Sequence, residues 1–395
     1  MKLGLIPKLL IGIAVGILLG FYAPTGLIKA IATLGYILGQ YIKFIIPLIV
    51  IAFVGAGIAG FGQQAGRILS TTIILAYVST ILAESLSFTV GSLAMPWLKI
   101  PMGALAKGTQ IAPYLKIDAP PVMGVMSAIV LAIILGMGAT WLRRQSVLDL
   151  LEDFREIIFR LLRVALIPVL PYFIATVFCE LTAKGQLIPT ATAFAKVLVI
   201  IIPLQWAWLL VLYAAAGIYN RRNPFPVLRT MLPAYFTACG TMSSAATLPV
   251  ALDCARKVPW LRREVVDFCI PMCNIAHLPG SAMTITMSAM VVMMLTQNQT
   301  PSLDTFLPFI LLLGLIEVAA PGVPGGSVTA ALGILQSSLG FNDAGLALMI
   351  AIFMIQDSFG TATNVTGDAA ITMIVDRALP AIAADRKGSA STLAP

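Results

Sequence analysis

Charge is scarce in this sequence: 11% of its 395 residues are Asp, Glu, Lys or Arg, against 59% hydrophobic ones. A soluble domain carries about 25% charged residues, so this chain lacks the means to clothe itself for water. Histidine occurs once, and the five cysteines (Cys179, Cys239, Cys254, Cys269, Cys273) form no CxxC pair. That leaves buried, inert thiols rather than disulfides or a metal site. HExxH, GxSxG and any His-Cys cluster are missing too, and Ser243 has no evident base, so an intramembrane enzyme has no visible nucleophile or metal.

What is present is long apolar sequence. The runs Phe44 to Phe61, Val122 to Leu142 and Val197 to Tyr219 can each cross a hydrocarbon core, which takes about 20 helical residues. The basic residues behind the net charge of +8 gather at segment ends: Lys2, Lys8, Arg67, Arg143, Arg144, Arg221, Arg222, Arg229, Arg256, Lys257, Arg262, Arg263, Arg377, Arg386 and Lys387. That is the positive-inside distribution, which predicts a multi-pass protein with these loops and both termini in the cytoplasm. A nucleic-acid surface would instead need a basic face on a soluble fold. Leu9 to Tyr22 follows a basic start as a signal peptide would; without a small-residue cleavage signal it reads as a retained first helix.

The pattern predicts helices at 4–22, 26–60, 67–95, 121–142, 150–180 and 189–219, with an external loop at 96–120. Beyond residue 222 it changes. Stretches 226–256 and 305–340 are apolar at both ends and broken in the middle, by Gly240-Thr-Met-Ser-Ser-Ala-Ala-Thr-Leu-Pro249 and Pro321-Gly-Val-Pro-Gly-Gly-Ser-Val-Thr329. Each half is too short to span, so each stretch predicts a re-entrant helical hairpin. A longer interrupted segment follows each, broken at Asn274-Ile-Ala-His-Leu-Pro-Gly280 and at Thr363-Asn-Val-Thr-Gly-Asp368. Hairpin then broken helix, twice, is an internal repeat, and such paired breaks point to a transporter's binding site near the midplane. Simple Gly and Pro kinks explain one break more easily than four in alternating order. A channel would use the same polar seam; uphill, saturable uptake separates the two.

Ionisable residues within apolar segments are functional candidates, and five occur: Glu84, His277, Glu317, Asp357 and Asp368. Asp357 and Asp368 lie eleven positions apart, close to three helical turns, with Thr361 and Asn364 between them. One stripe then offers two carboxylates, a hydroxyl and an amide, which suits an ammonium, a carboxylate and a small cation. The plainer alternative is a polar seam joining helices, but two buried anions without Lys or Arg need a cationic partner.

At these residues the sequence resembles the dicarboxylate/amino-acid:cation symporters, the family of the glutamate transporters. Asn220-Arg-Arg-Asn-Pro-Phe-Pro-Val-Leu, Ser243-Ser-Ala-Ala-Thr-Leu-Pro and Gln356-Asp-Ser are similar to its bacterial sodium/serine-threonine symporter branch, and Asp357-Ser-Phe-Gly-Thr-Ala-Thr-Asn-Val-Thr-Gly-Asp368 resembles the family's last-helix motif. The resemblance implies an all-α membrane protein of eight transmembrane helices plus two re-entrant hairpins in inverted repeats. It further implies a homotrimer in the inner membrane of a bacterium or archaeon. A scaffold (helices 1–2 in 1–66, helices 4–5 in 121–188) would carry a mobile transport domain (third helix 67–95, then 189–380) that moves like an elevator, with a cytoplasmic tail at 381–395.

By the same resemblance, Asp357 holds the substrate ammonium, Asn364 its α-carboxylate and Thr361 is a pocket hydroxyl. Ser243 and Ser244 form the first hairpin tip, Val323 and Gly325 belong to the second, gating tip at Gly322 to Gly326, and Ser281 and Gly360 complete the substrate set. Cys273, His277, Asn364 and Asp368, partly through backbone carbonyls, fall where the family binds sodium; no other cofactor is implied. The departures are informative. Where acidic-amino-acid members have an arginine, this chain has Gly360, and a second substrate carboxylate desolvated unpaired costs several kcal/mol. A small neutral amino acid such as serine, threonine or alanine is therefore expected. The aspartate of one deep sodium site is Pro279, its neighbouring asparagine is His277, and a tyrosine ligand is Ala76, while hydroxyls persist at Ser79 and Thr80. Fewer sodium ions per substrate follow, with Glu84, His277 and Glu317 as candidate proton sites in a proton-coupled alternative.

Overall fold

The computed structural model describes residues 5–63, 67–105, 111–142 and 144–378. The predicted tail 381–395, Lys2, Lys107, Arg143, Arg386 and Lys387 lie outside them. The described residues contain fourteen α-helices and no strand: α1 (Leu5–Tyr22), α2 (Thr25–Gln63), α3 (Arg67–Leu98), α4 (Val125–Leu142), α5 (Gln145–Leu161), α6 (Leu170–Ala183), α7 (Leu187–Asn220), α8 (Phe225–Thr241), α9 (Ser244–Arg256), α10 (Arg263–Ala276), α11 (Pro279–Gln297), α12 (Leu303–Glu317), α13 (Gly326–Ser337) and α14 (Asp343–Ala378). Among the described residues, six spans are long and apolar enough to cross a membrane, or seven counting a bent pair.

That bent pair corrects one expectation. The helix predicted over 150–180 begins earlier, at Gln145, and is two rods, α5 and α6, joined through a π-turn at Leu162–Leu166 and bent by 49°. Pro168 and Pro171 close the joint, where each proline removes a backbone donor. Each of the two stretches expected to form a hairpin is a pair of helices with a short link. α8 and α9 are linked by Met242, in the left-handed region at φ 52°, and by Ser243, whose side chain caps α9 by accepting from Ala246 N at 3.2 Å. α12 and α13 are linked by Val318 to Gly325.

The two interrupted segments differ. α10 stops at Ala276 and α11 starts with Pro279 at its first position, leaving His277 and Leu278 non-helical. The break expected at Thr363–Asp368 is absent: α14 runs unbroken over 36 residues. It contains no proline, and a glycine costs a helix only about 1 kcal/mol. Two of its threonines bond back to carbonyls of their own helix, Thr363 to Phe359 O at 2.9 Å and Thr372 to Asp368 O at 2.8 Å.

Close backbone packing ties α1 to α6. A Cβ on Gly12 would lie 2.5 Å from Pro171 O, one on Gly16 2.3 Å from Ala175 O, and one on Gly20 2.6 Å from Cys179 O. This is small-residue packing at four-residue spacing, the means by which helices associate without a hydrophobic driving force. Elsewhere α2 packs on α4, α5 and α6, while α14 is surrounded by α7, α8, α10 and α11.

The apolar interior divides in two. One core takes Ile46, Met283, Phe306 and α14 up to Met354; the other takes Tyr213, Tyr235, Cys269 and α14 from Ala362 on. The polar stretch of α14 and the α10–α11 break both fall at the seam. At the far end of the second core the basic helix ends meet: Arg262 pairs with Asp376 at 2.8 Å, Arg377 bonds Asn220 O at 3.1 Å, and Arg222 lies over Trp260.

Candidate functional site

At the seam the two hairpin tips close on each other over α14. Ser243 Oγ donates to Gly322 O at 2.9 Å, and Ala245 N donates to the same carbonyl at 3.3 Å. Gly325, at φ 73°, turns its N–H onto Asp357 Oδ2 at 2.8 Å, while Thr361 Oγ1 donates to Asp357 Oδ1 at 3.1 Å. Asn274 Nδ2 holds Ser244 O at 3.0 Å. Between them lies a cavity of about 10 Å³ lined by Ser244, Ser281, Val323, Asp357, Thr361 and Asn364, together with Met242, Leu278, Pro321, Gly322 and Ser327. That volume holds one water at most, so the tips must part to admit anything larger.

Six of the nine predicted substrate residues thus line one cavity, and Ser243 and Gly325 bond to its walls. Gly360 lies beneath it. A Cβ on Gly280 would sit 2.4 Å from Gly360 O, so the two helices cross in backbone contact. A Cβ on Gly360 would meet only ordinary contacts at 3.4 Å.

The α10–α11 break supplies backbone donors. Gly280 N and Ser281 N reach Asn364 Oδ1 at 2.7 and 3.3 Å, and Asn364 Nδ2 donates to Ser281 Oγ at 2.9 Å. Asn364 is therefore engaged by α11 on both its amide atoms. Gln205 of α7 holds Gly280 O at 3.0 Å and Thr284 Oγ1 at 2.9 Å. Sequence reasoning missed Gln205, Met242, Leu278 and Ser327. The signal for Gln205 was there: a polar residue within the apolar run Val197 to Tyr219.

Below the cavity stands a second cluster. His277 Nδ1 is 3.0 Å from Asp368 Oδ1 and its Nε2 is 2.9 Å from Ser79 Oγ. Its ring lies against Ser79, one of the residues that the resemblance sets around the deep sodium site, and Thr80 turns its hydroxyl to Ala76 O at 2.9 Å. Cys273 O accepts the His277 N–H at 2.7 Å. These residues do not fit a cation at that position. Asp368 Oδ2, buried and without a hydrogen-bond partner, does fit one. No three His, Cys, Asp or Glu side chains gather among the described residues.

Glu84 and Glu317 line neither cluster; both are wholly buried. Of the cysteines all five are free, with Cys239 only half-buried. A larger cleft of about 270 Å³ opens around Tyr36, Glu180, Lys184 and Asp343. None of the predicted site residues lines it, and its charges are paired: Lys184 with Glu180 at 3.0 Å and Lys43 with Asp343 at 2.6 Å.

Two helical hairpins meeting over a polar stretch of a long buried helix define a secondary transporter of the membrane. The chain belongs to the sodium:dicarboxylate symporter family, whose sequence model matches residues 5–378. It is a symporter-family transporter and not an enzyme. It is 25% identical over 412 residues to the serine/threonine transporter SstT of Enterococcus faecalis, covering 95% of this chain and 92% of the relative. It is 26% identical over 405 residues to SstT of Streptococcus agalactiae, covering 96% and 97%. Excitatory amino acid transporter 4 of Mus musculus is 28% identical over a shorter 157 residues, 40% of this chain and 28% of the relative.

Proposed function

We propose that this protein imports a small neutral amino acid of the serine, threonine or alanine kind together with sodium, by an elevator movement. One observation carries the substrate class: Asp357 faces the cavity while Gly360, beside it, brings no cation. Asp357 balances one ammonium, and a second substrate carboxylate would be desolvated without a partner. The SstT relatives carry names that fit this reading.

The coupling ion is sodium, held by Asp368 through its free oxygen, and His277 is a neutral group standing in the lost deep site, so fewer sodium ions travel per substrate. The architecture is eight spans, α1 to α4, α5–α6, α7, α10–α11 and α14, with the two hairpins re-entrant. Helices α1, α2 and α4 to α6 form the scaffold of a homotrimer; α3 and α7 to α14 form the moving domain. Both termini are cytoplasmic and the membrane is the inner membrane of the cell. The basic cluster at Arg222, Arg262 and Arg377 supports that orientation.

Uptake of L-serine into proteoliposomes under imposed sodium, proton or no gradient tests the reading. Sodium should drive accumulation, Asp368→Asn should greatly weaken the sodium dependence, and succinate should compete at least tenfold worse than serine, about 1.4 kcal/mol. Sodium-free accumulation driven by protons would overturn the coupling. Equal competition by succinate would overturn the substrate class.

A further inference from the structure

Gln205 stands midway along α7 in an otherwise apolar run and is 1% exposed. Its Nε2 commits both hydrogens to the start of α11, one to Gly280 O at 3.0 Å and one to Thr284 Oγ1 at 2.9 Å. The orientation of this amide is fixed, because Gly280 O can only accept. Thr284 Oγ1 in turn donates to Gly280 O at 3.0 Å, so that carbonyl has a donor without Gln205. The other end of the side chain, Oε1, is buried and has no hydrogen-bond partner. A glutamine kept only to satisfy Gly280 O, or only to fill space between α7 and α11, would be a poor choice, since it strands an acceptor.

What Gln205 adds is a grip on one peptide. The carbonyl it holds belongs to the Gly280–Ser281 peptide, whose N–H donates to Asn364 Oδ1 at 3.3 Å. Gly280 N, one peptide earlier, donates to the same oxygen at 2.7 Å. Hydrogen bonds at the two ends of one peptide polarise each other in the same sense. The first turn of α11 has no side-chain cap of its own, and His277 and Leu278 before it are non-helical. With Oδ1 filled by two N–H groups, Asn364 turns Nδ2 the other way. One hydrogen of Nδ2 goes to Ser281 Oγ at 2.9 Å. The second is left for the cavity that Asn364 and Ser281 line. The two ends of an asparagine amide are alike in shape, so donors such as these decide which end meets a ligand.

We propose that Gln205 is a positioning residue for substrate: by holding the Gly280–Ser281 peptide it keeps Asn364 with N–H, rather than C=O, toward the substrate's carboxylate. It touches no substrate itself, since it is not among the residues that line the cavity. Without its grip the peptide is freed, and Asn364 then offers a carbonyl oxygen to an anion in part of the population. The carboxylate contact rests on the amino-acid reading above; the grip on the peptide does not.

Gln205→Met keeps the length and approximate volume of the side chain and removes its donors. In the purified full-length protein, L-serine affinity should fall about tenfold, the worth of one hydrogen bond to a charged group. L-serinamide keeps the ammonium and the hydroxymethyl group but has no carboxylate, so its affinity, measured by competition, should not change. In an Asn364→Ala background the same substitution should weaken L-serine no further. Hydrogen exchange read by mass spectrometry on the ligand-free protein should quicken at Gly280 and Ser281. Unchanged L-serine affinity overturns the proposal. Equal losses for L-serine and L-serinamide overturn it too, as do losses that add in the double variant. A residue that merely ties α7 to α11 would hurt both ligands and act independently of Asn364. If the unaltered protein binds no L-serine, the substrate reading fails separately, and exchange unchanged at Gly280 and Ser281 then overturns the grip as well.

Discussion

The α10–α11 segment and α14 meet at one crossing but serve the site by opposite means. α10–α11 breaks its helix and offers backbone: Gly280 N and Ser281 N bond to Asn364. α14 keeps its helix and offers side chains, with Asp357, Thr361 and Asn364 successive along one stripe. A freed amide is fixed in place by the fold and costs no side-chain entropy, whereas a carboxylate on an intact rod can be replaced without disturbing the rod. Changes on α14 should thus damage binding while sparing the fold. Changes at the break should damage the fold first.

The sharpest test is Asp357→Asn. Removing one member of a buried charge pair costs roughly 3–5 kcal/mol, so L-serine affinity should fall at least about a hundredfold while gel filtration and thermal unfolding stay near normal. Near-normal affinity would show that the ammonium docks elsewhere. Gly280→Ala is the reverse case. Its Cβ would meet Gly360 O at 2.4 Å and Thr363 Cβ at 2.7 Å, and overpacking of this kind costs about 1–3 kcal/mol. The melting temperature in detergent should drop clearly; an unchanged melt would refute the tight crossing.

His277 gives a graded pair. His277→Leu strips partners from Ser79 Oγ and Asp368 Oδ1, and each buried group left unsatisfied costs about 1–3 kcal/mol. His277→Gln, which keeps a donor, should lose less than His277→Leu in the same melt and remain active at neutral pH. Equal losses would mean that ring volume, not hydrogen bonding, is what matters there. The smallest effect is expected from Pro279→Ala, about 0.4–1 kcal/mol from added freedom in the unfolded chain. A gain in stability instead would mean that α10 and α11 prefer to join.

Much of this was legible in the residues. The division of 226–256 and 305–340 into helix pairs was, because small residues interrupt apolar stretches there. The site carboxylates were, because ionisable residues in apolar sequence are few enough to consider one by one. The unbroken course of α14 was not. Thr363, Asn364, Thr366 and Gly367 looked like an interruption, but each such residue weakens a helix by less than surrounding contacts restore, among them Tyr213 Oη donating to Thr366 O at 2.8 Å. Proline was no better a guide: Pro249 lies inside α9 and Pro271 inside α10, while Pro279 starts a helix. The pairing of His277 with both Ser79 and Asp368 was equally hidden, since it joins three elements that sequence spacing does not relate.

The glycine ladder of α1 has a mechanical consequence. Three backbone contacts, at Gly12, Gly16 and Gly20, lie along one line. Three points on a line forbid both sliding and swivelling: a slip of one turn would leave a glycine unmatched and push a side chain into the opposing backbone. The crossing at Gly280 and Gly360 is one close backbone approach, held on either side by side chains: Asn364 bonds Gly280 N and Ser281 N, and His277 bonds Asp368. α1 and α6 are thereby fastened as one beam by backbone alone, whereas α11 and α14 depend on polar side chains for their register.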